Sequence, residues 1–273
     1  MALLILGVPF FFVYLEKKSV NLRNHLFVMN KLCLLFIPML LCQYAPKTRY
    51  VDVSDIDSLG VVIYEPCFSR VDLRCGTMPS VEEKDVIFCA EAAFTEALSD
   101  TFFHANIDGN HVSGGRWYEG ARCVETPDKV GNTGGFVWYD GHFEFFADTL
   151  EAEQGLMTAA EKGGMGFCQE IIIHESKYVS NTRTENPRFN RVEFFRVLAE
   201  IDGKLCVVET KEKMLFSAFV EKMLLLEITE ALYMDMGAGW NHSWYRPNDE
   251  QVIEIHEKAY KSRFCTNWIT FYK

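Results

Sequence analysis

Downstream of residue 45 the chain alternates apolar and polar positions with a period of two over several stretches, and these predict strands. Segment 135–146, GFVWYDGHFEFF, has two alternating arms around Asp140 and Gly141 and predicts a hairpin. Segment 194–209, FFRVLAEIDGKLCVVE, predicts a second one turning at Asp202 and Gly203. Shorter β-branched or apolar runs at 60–64, 169–174 and 231–234 predict further strands. The period changes at 217–228, where Phe219, Met223 and Leu226 share a helical face and Ser217 is placed to cap the first turn. A second helix is predicted over 81–98. Strands outnumber helices, and no repeat or low-complexity segment interrupts residues 46–273. The pattern predicts a single strand-rich α+β domain with a mixed β-sheet and flanking helices.

The first 45 residues read differently. Two apolar stretches, 2–15 and 32–42, surround a polar hinge with Glu16, Lys17, Lys18 and Arg23. Both are shorter than the roughly 20 residues a spanning helix needs. From Met29, MNKLCLLFIPMLLCQ has a cationic start and an apolar run ending at Cys42, the layout of an export signal. Residues 1–45 are therefore expected to direct export to the periplasm or cell surface, with Met29 as the true start and Cys42 as a candidate lipid anchor to the membrane. A membrane-inserted hairpin is the alternative.

Composition adds limits. The chain is 49% hydrophobic and 14% aromatic, enough to build a core, and its formal charge is −11. The export segment holds four of the 27 basic residues and one of the 38 acidic ones, so the body is more acidic still. Such a surface repels phosphate backbones, and with no basic run the chain is not expected to bind nucleic acid. Any anionic ligand needs locally placed cations. The cysteines after Cys42 are odd in number and show no CxxC spacing, which argues against a zinc ribbon. Cys206 reads as a core residue, and Cys67 with Cys75 is the pair nearest in sequence for a disulfide.

Chemistry concentrates at 233–246, YMDMGAGWNHSWYR. An acid ends a strand, glycines 237 and 239 permit close approach of a ligand to backbone N–H groups, and polar and aromatic side chains follow. A tight turn whose aspartate bonds its own backbone would also produce this pattern. HExxH, Walker A, GxSxG and dinucleotide fingerprints are missing from the sequence. His174 with Glu175 and His142 with Glu144 lack a third metal ligand, and nothing local supports a protease built on Cys168.

The order of these pieces resembles the phosphodiester glycosidase family, which includes the mannose-6-phosphate uncovering enzyme. In that family an arginine opens a strand, an Asp-Gly turn and a helix follow, and a strand of the type ALNLD leads into GGGS. The corresponding residues here are Arg196, Asp202 with Gly203, the 217–228 helix, and ALYMD at 231–235 followed by MGAGWNHS. Upstream, AAFTEALSDTFFHANIDGNHVSGG from Ala92 is similar to the family's earlier strand and loop, and GFCQEIIIHESK from Gly166 to its middle strand. The likeness spans about residues 60–273. Two motifs depart from it: Met236 and Ala238 stand among the glycines, and Thr95, Glu96 and Ala97 replace an Asn-Gly-Gly.

The resemblance implies hydrolysis of a glycosyl phosphodiester or related sugar linkage at a pocket around Asp235, with a sugar phosphate or glycan as substrate and no cofactor. Cleavage needs a cation for the phosphate, an acid and a base or water-orienting group. Arg196 could bind phosphate through its planar fork, or be a surface arginine paired with Glu200. Asp235 is the candidate base, and His104 and His111, flanking HANIDGNH, are candidate acids or sugar ligands. Gly237, Gly239, Asn241, His242, Ser243 and Arg246 are candidate substrate contacts, with Trp117, Trp240 and Trp244 as apolar faces. The metal question stays open. The alternative function is a non-catalytic carbohydrate-binding or envelope protein on the same fold.

Overall fold

The computed structural model describes residues 48–95, 104–121, 134–179, 192–236 and 241–273. Residues 1–47, with the expected export segment, Met29 and Cys42, and residues Glu96, Ala97, Cys123, Gly237, Gly239 and Trp240 lie outside the described residues.

Strands β1 (Val51–Ile56), β2 (Val61–Pro66), β3 (Arg70–Cys75) and β4 (Val86–Glu91) open the domain. Next come β5 (His111–Ser113), β6 (Arg116–Tyr118), β7 (Gly134–Tyr139), β8 (His142–Phe146), helix α1 (Thr149–Glu161), β9 (Met165–Gln169), β10 (Ile171–His174) and β11 (Lys177–Tyr178). The last third holds β12 (Val192–Glu193), β13 (Arg196–Ile201), β14 (Lys204–Thr210), β15 (Met214–Leu215), α2 (Phe216–Leu225), β16 (Glu230–Met234), β17 (Ser243–Asn248), β18 (Gln251–His256) and β19 (Asn267–Tyr272).

Three larger sheets result, ordered β1-β2-β14-β13-β16-β10-β11, β18-β17-β4-β19-β3 and β6-β5-β9-β7-β8, with β12 and β15 as a separate pair. The α+β class is observed. Pairing between the described strands is antiparallel, not mixed. Both expected hairpins form. Asp140 and Gly141, and Asp202 and Gly203, all take positive φ, as a tight two-residue turn between twisted strands demands. The 169–174 run divides at Glu170, handing the chain from β9 in one sheet to β10 in another.

The helix expected over 81–98 is instead the central strand β4, flanked by β17 and β19. All six of its residues, VIFCAE, are buried, since Phe88 and Ala90 face the main core while Val86 and Cys89 pack with Trp244 and Trp268 on the other side. A strand covered on both faces shows no alternation, and over a short apolar run periodicity cannot separate it from a buried helix. The helix expected over 217–228 forms as α2, but Ser217 does not cap it. Leu215 occupies the N-cap without a side-chain hydrogen bond, and packing of Phe216, Phe219 and Met223 on the seven-stranded sheet holds the helix. Burying each such phenylalanine contributes roughly 1.5–3 kcal/mol.

Helix α1 was not anticipated. Asp148 caps it, accepting from Leu150 N at 2.8 Å and Glu151 N at 3.2 Å, and Ala152, Leu156 and Ala159 press onto β7 and β9. No disulfide joins Cys67 to Cys75, and Cys206 is buried in β14 as its sequence suggested. Among the described residues no helix is long and apolar enough to cross a membrane.

Candidate functional site

Several strand ends meet where the seven-stranded sheet adjoins the β4 sheet. Cross-strand register sets Arg196 of β13 opposite both Glu209 of β14 and Met234 of β16. Asp235 follows, its backbone N–H donating to Ala92 O at 3.0 Å, just beyond the end of β4. Asn267, opening β19, accepts from Ala93 N at 2.8 Å and donates to Ala93 O at 3.0 Å, fixing the chain where it leaves β4.

Arg196 is fully buried. Its Nε and Nη2 reach one oxygen of Glu209 at 2.9 and 2.8 Å, and Nη2 also donates to Ser243 Oγ at 2.8 Å and Asn241 O at 3.3 Å. The partner is Glu209, not Glu200, and the arginine is an interior residue, not a surface one. His256 Nε2 meets the second oxygen of Glu209. Burial acts to raise the Glu209 carboxyl, but Arg196 and then His256 outweigh it and hold it below its ordinary range. Nη1 of Arg196 meets no partner among the described residues.

Glu91, at the end of β4, is the feature that sequence reading missed. It is 0% exposed, and among the described residues neither of its oxygens makes a well-formed hydrogen bond. Burial first, and the charge of Asp235 second, push its pKa well above the carboxylate range; the Cys265 thiol alongside and Arg196 oppose the shift without reversing it. Burial first, and the Glu91 carboxyl alongside, drive the Cys265 thiol upward, so it does not serve as a thiolate. Burial and the neighbouring Asp235 thus favour the protonated form of Glu91.

This arrangement has a pH signature. A carboxyl whose folded pKa exceeds its unfolded one, near 4.5, stabilises the fold fully below 4.5 and loses that contribution as pH rises through the folded value. Stability contributed by Glu91 should fall by about 1.4 kcal/mol per pH unit across that window. Urea unfolding of wild type and Glu91→Gln between pH 5 and neutrality checks it, with the variant showing the flatter profile.

Outside Cys265 lies a cleft of about 280 Å³ lined by Met78, His242, Lys258, Arg263, Cys265 and Trp268. It places cations and an indole face near the carboxyl pair of an acidic protein. His242 Nε2 stands 3.6 Å from Glu254 Oε1, and burial lowers its pKa despite that acid. A larger cleft of about 420 Å³ lies around Arg70, Tyr272 and Lys273, at the opposite ends of β3 and β19.

The sequence candidates therefore divide. Arg196, Asn241 and Ser243 are joined by hydrogen bonds, with Asp235 next to Glu91. Arg246 is fully buried, donating to Val86 O at 3.1 Å and Val81 O at 2.5 Å. Trp244 is core, and Trp117 is exposed. His104 and His111 bond each other, Nδ1 to Nε2, at 2.9 Å and gather with Cys75. Glu91, Trp268 and Arg74 are cross-strand partners on one face of the β4 sheet, whereas Cys75 pairs with Asn267 and shares the face of Leu73 and Ala90. The sheet lies between Glu91 and Cys75. Burial moves the His111 pKa down to about 4 and the Cys75 thiol up to about 11.

No protein-family profile matches this sequence, and no curated protein does. Among solved structures the chain is similar to the zebrafish N-acetylglucosamine-1-phosphodiester alpha-N-acetylglucosaminidase catalytic domain auto-inhibited by pro-peptide, with a TM-score of 0.52, 12% identity and 83% of each chain covered. At that identity the likeness shows a shared fold.

Proposed function

We propose that the chain is a divergent phosphodiester glycosidase that hydrolyses a sugar-1-phosphodiester in the cleft beside Cys265, with Glu91 and Asp235 as its acid and base. The observation that carries this reading is the buried Glu91 carboxyl, pushed well above the carboxylate range by burial and by Asp235 beside it, with the Arg196 guanidinium at the same strand ends. Carboxyl groups whose environments hold them in opposite protonation states are the means by which one site performs acid and base steps at one pH. The shared fold with the zebrafish glucosaminidase supports the substrate class.

In this mechanism water adds at the anomeric carbon and the bond to the phosphate oxygen breaks. Asp235 takes the water proton. Glu91 supplies one to the departing phosphomonoester, and Lys258 and Arg263, which line the cleft, offset its growing charge.

Asp235→Asn, nearly isosteric, should lower turnover of an aryl glycosyl-1-phosphodiester by roughly a hundredfold or more while calorimetric binding of sugar phosphates persists. A wild type that binds sugar phosphates but never turns over the ester would make the chain a carbohydrate-binding protein and end the enzyme reading.

A further inference from the structure

We infer that Cys75, His104 and His111 form a binding site for a transition-metal ion of the zinc class, separate from the Glu91 site. Cys75 Sγ and one ring nitrogen of each histidine all lie within 4.8 Å of one another, and the facing nitrogens, His104 Nδ1 and His111 Nε2, are 2.9 Å apart. One sulfur and two imidazole nitrogens are a donor set for zinc and its neighbours, and hard cations such as calcium or magnesium disfavour it. With Zn–N near 2.0–2.1 Å and Zn–S near 2.3 Å, a tetrahedral ion separates its nitrogens by about 3.3 Å, so the pair observed at 2.9 Å needs to open by about half an ångström.

The surroundings orient each ligand. His111 Nδ1 is 3.1 Å from Gly109 O and donates its proton there, which leaves the Nε2 lone pair directed at His104. A histidine whose outer nitrogen donates to a carbonyl is the usual support of a metal-bound imidazole. The Gly109 carbonyl is itself held in place. Gly120 packs so closely beneath it that a Cβ at 120 would fall 2.3 Å from Gly109 C, and Gly120 N donates to Asn110 Oδ1 at 2.9 Å. Tyr118, paired with His111 across β5 and β6, stacks on the His104 ring at 3.7 Å and 8°, fixing its plane. His104 arrives from a turn in which Ala105 and Asn106 both take left-handed φ, of 55° and 49°. A side chain hydrogen bond between two neutral histidines explains the nitrogen pair but gives no role to the thiol beside them.

Binding exchanges the Cys75 thiol proton for the ion and releases it to solvent. Cys75 ends β3 in one sheet and His111 opens β5 in another, so the ion ties two sheets together. Cys75 and His104 are only half-buried, which leaves water access to the fourth position of the tetrahedron.

The test uses the full chain, stripped by chelator and titrated with Co²⁺ and then Zn²⁺. One Co²⁺ per chain should bind with thiolate-to-cobalt charge transfer and the intense visible bands of tetrahedral cobalt, Zn²⁺ should displace it, and Zn²⁺ should raise Tm. Cys75→Ser and His104→Ala, at half-buried positions and checked for folding by circular dichroism, should each weaken binding by about a hundredfold or more, with Cys75→Ser losing the charge-transfer band. A wild type without that band, or a folded Cys75→Ser variant that binds Co²⁺ as tightly as wild type, overturns the site and leaves a plain histidine pair. Both readouts are of binding, so the result is independent of whether the chain turns over a sugar ester.

Discussion

Glu91→Gln is expected to lower turnover of an aryl glycosyl-1-phosphodiester by about 10²–10⁴-fold, the range spanned by removal of a positioned proton donor. Glutamine has the size of the protonated acid and is likewise uncharged, so it fits a position where burial already favours the protonated form of the native carboxyl. The variant should fold, and it should retain more stability than wild type on the alkaline side. The loss should therefore fall on kcat with little change in KM. Wild-type kcat should also decline at higher pH as Glu91 ionises, and the residual activity of the variant should lack that limb. A pH series of kcat for both proteins measures this, and a variant with wild-type kcat would remove Glu91 from the reaction.

Arg196→Met should cost about 3–5 kcal/mol of stability, because it leaves Glu209 charged and enclosed, with His256 as its remaining partner among the described residues. Neutralising both partners should recover much of that. The double variant Arg196→Met with Glu209→Leu puts apolar groups in a space where a buried pair gains little over a hydrophobic replacement. Arg196→Lys retains the charge but cannot reach Glu209, Ser243 and the Asn241 carbonyl together, since an ammonium is a single point and the guanidinium a planar fork. It should be intermediate. Urea unfolding of the three proteins at one pH gives the ordering, and equal stability of Arg196→Met and wild type would show that the pair holds nothing in place.

The hairpins were legible because their turns are local chemistry: Asp140 with Gly141 and Asp202 with Gly203 supply the positive φ on their own. The second hairpin also contained more than was read from it. A two-residue turn at 202–203 fixes the register that sets 196 against 209, so the Arg196–Glu209 pair was present in the spacing, whereas Glu200 lies on the arginine's own strand. Glu91 was harder to see. It ends VIFCAE, a run whose burial comes from two different sheet faces, and a helix over 81–98 would have placed it on a solvated surface. One signal was available, a lone acid closing an apolar run that continues with alanines. The Cys75–His104–His111 cluster has no sequence periodicity at all, because β3 and β5 meet only through the packing of two sheets. Helix α1 did carry its signature, Asp148 followed by Ala152, Leu156 and Ala159, but glycines 135 and 166 on the facing strands are what let it lie close to the sheet.

Arg246 grips the carbonyls of Val81 and Val86 from the interior, and Arg74 of β3 holds Glu83 at 3.0 Å. Upstream of those two anchors the same stretch of chain forms one wall of the cleft through Gly76, Thr77 and Met78. Its length and composition can change while both anchor points and the carboxyl pair stay where they are. Ligand choice on this scaffold is therefore an exchangeable part, hung on an internal hook. On the proposed function, a graft of a foreign 76–80 segment, keeping Val81, Glu83 and Val86, is the natural way to change which sugar ester the cleft takes.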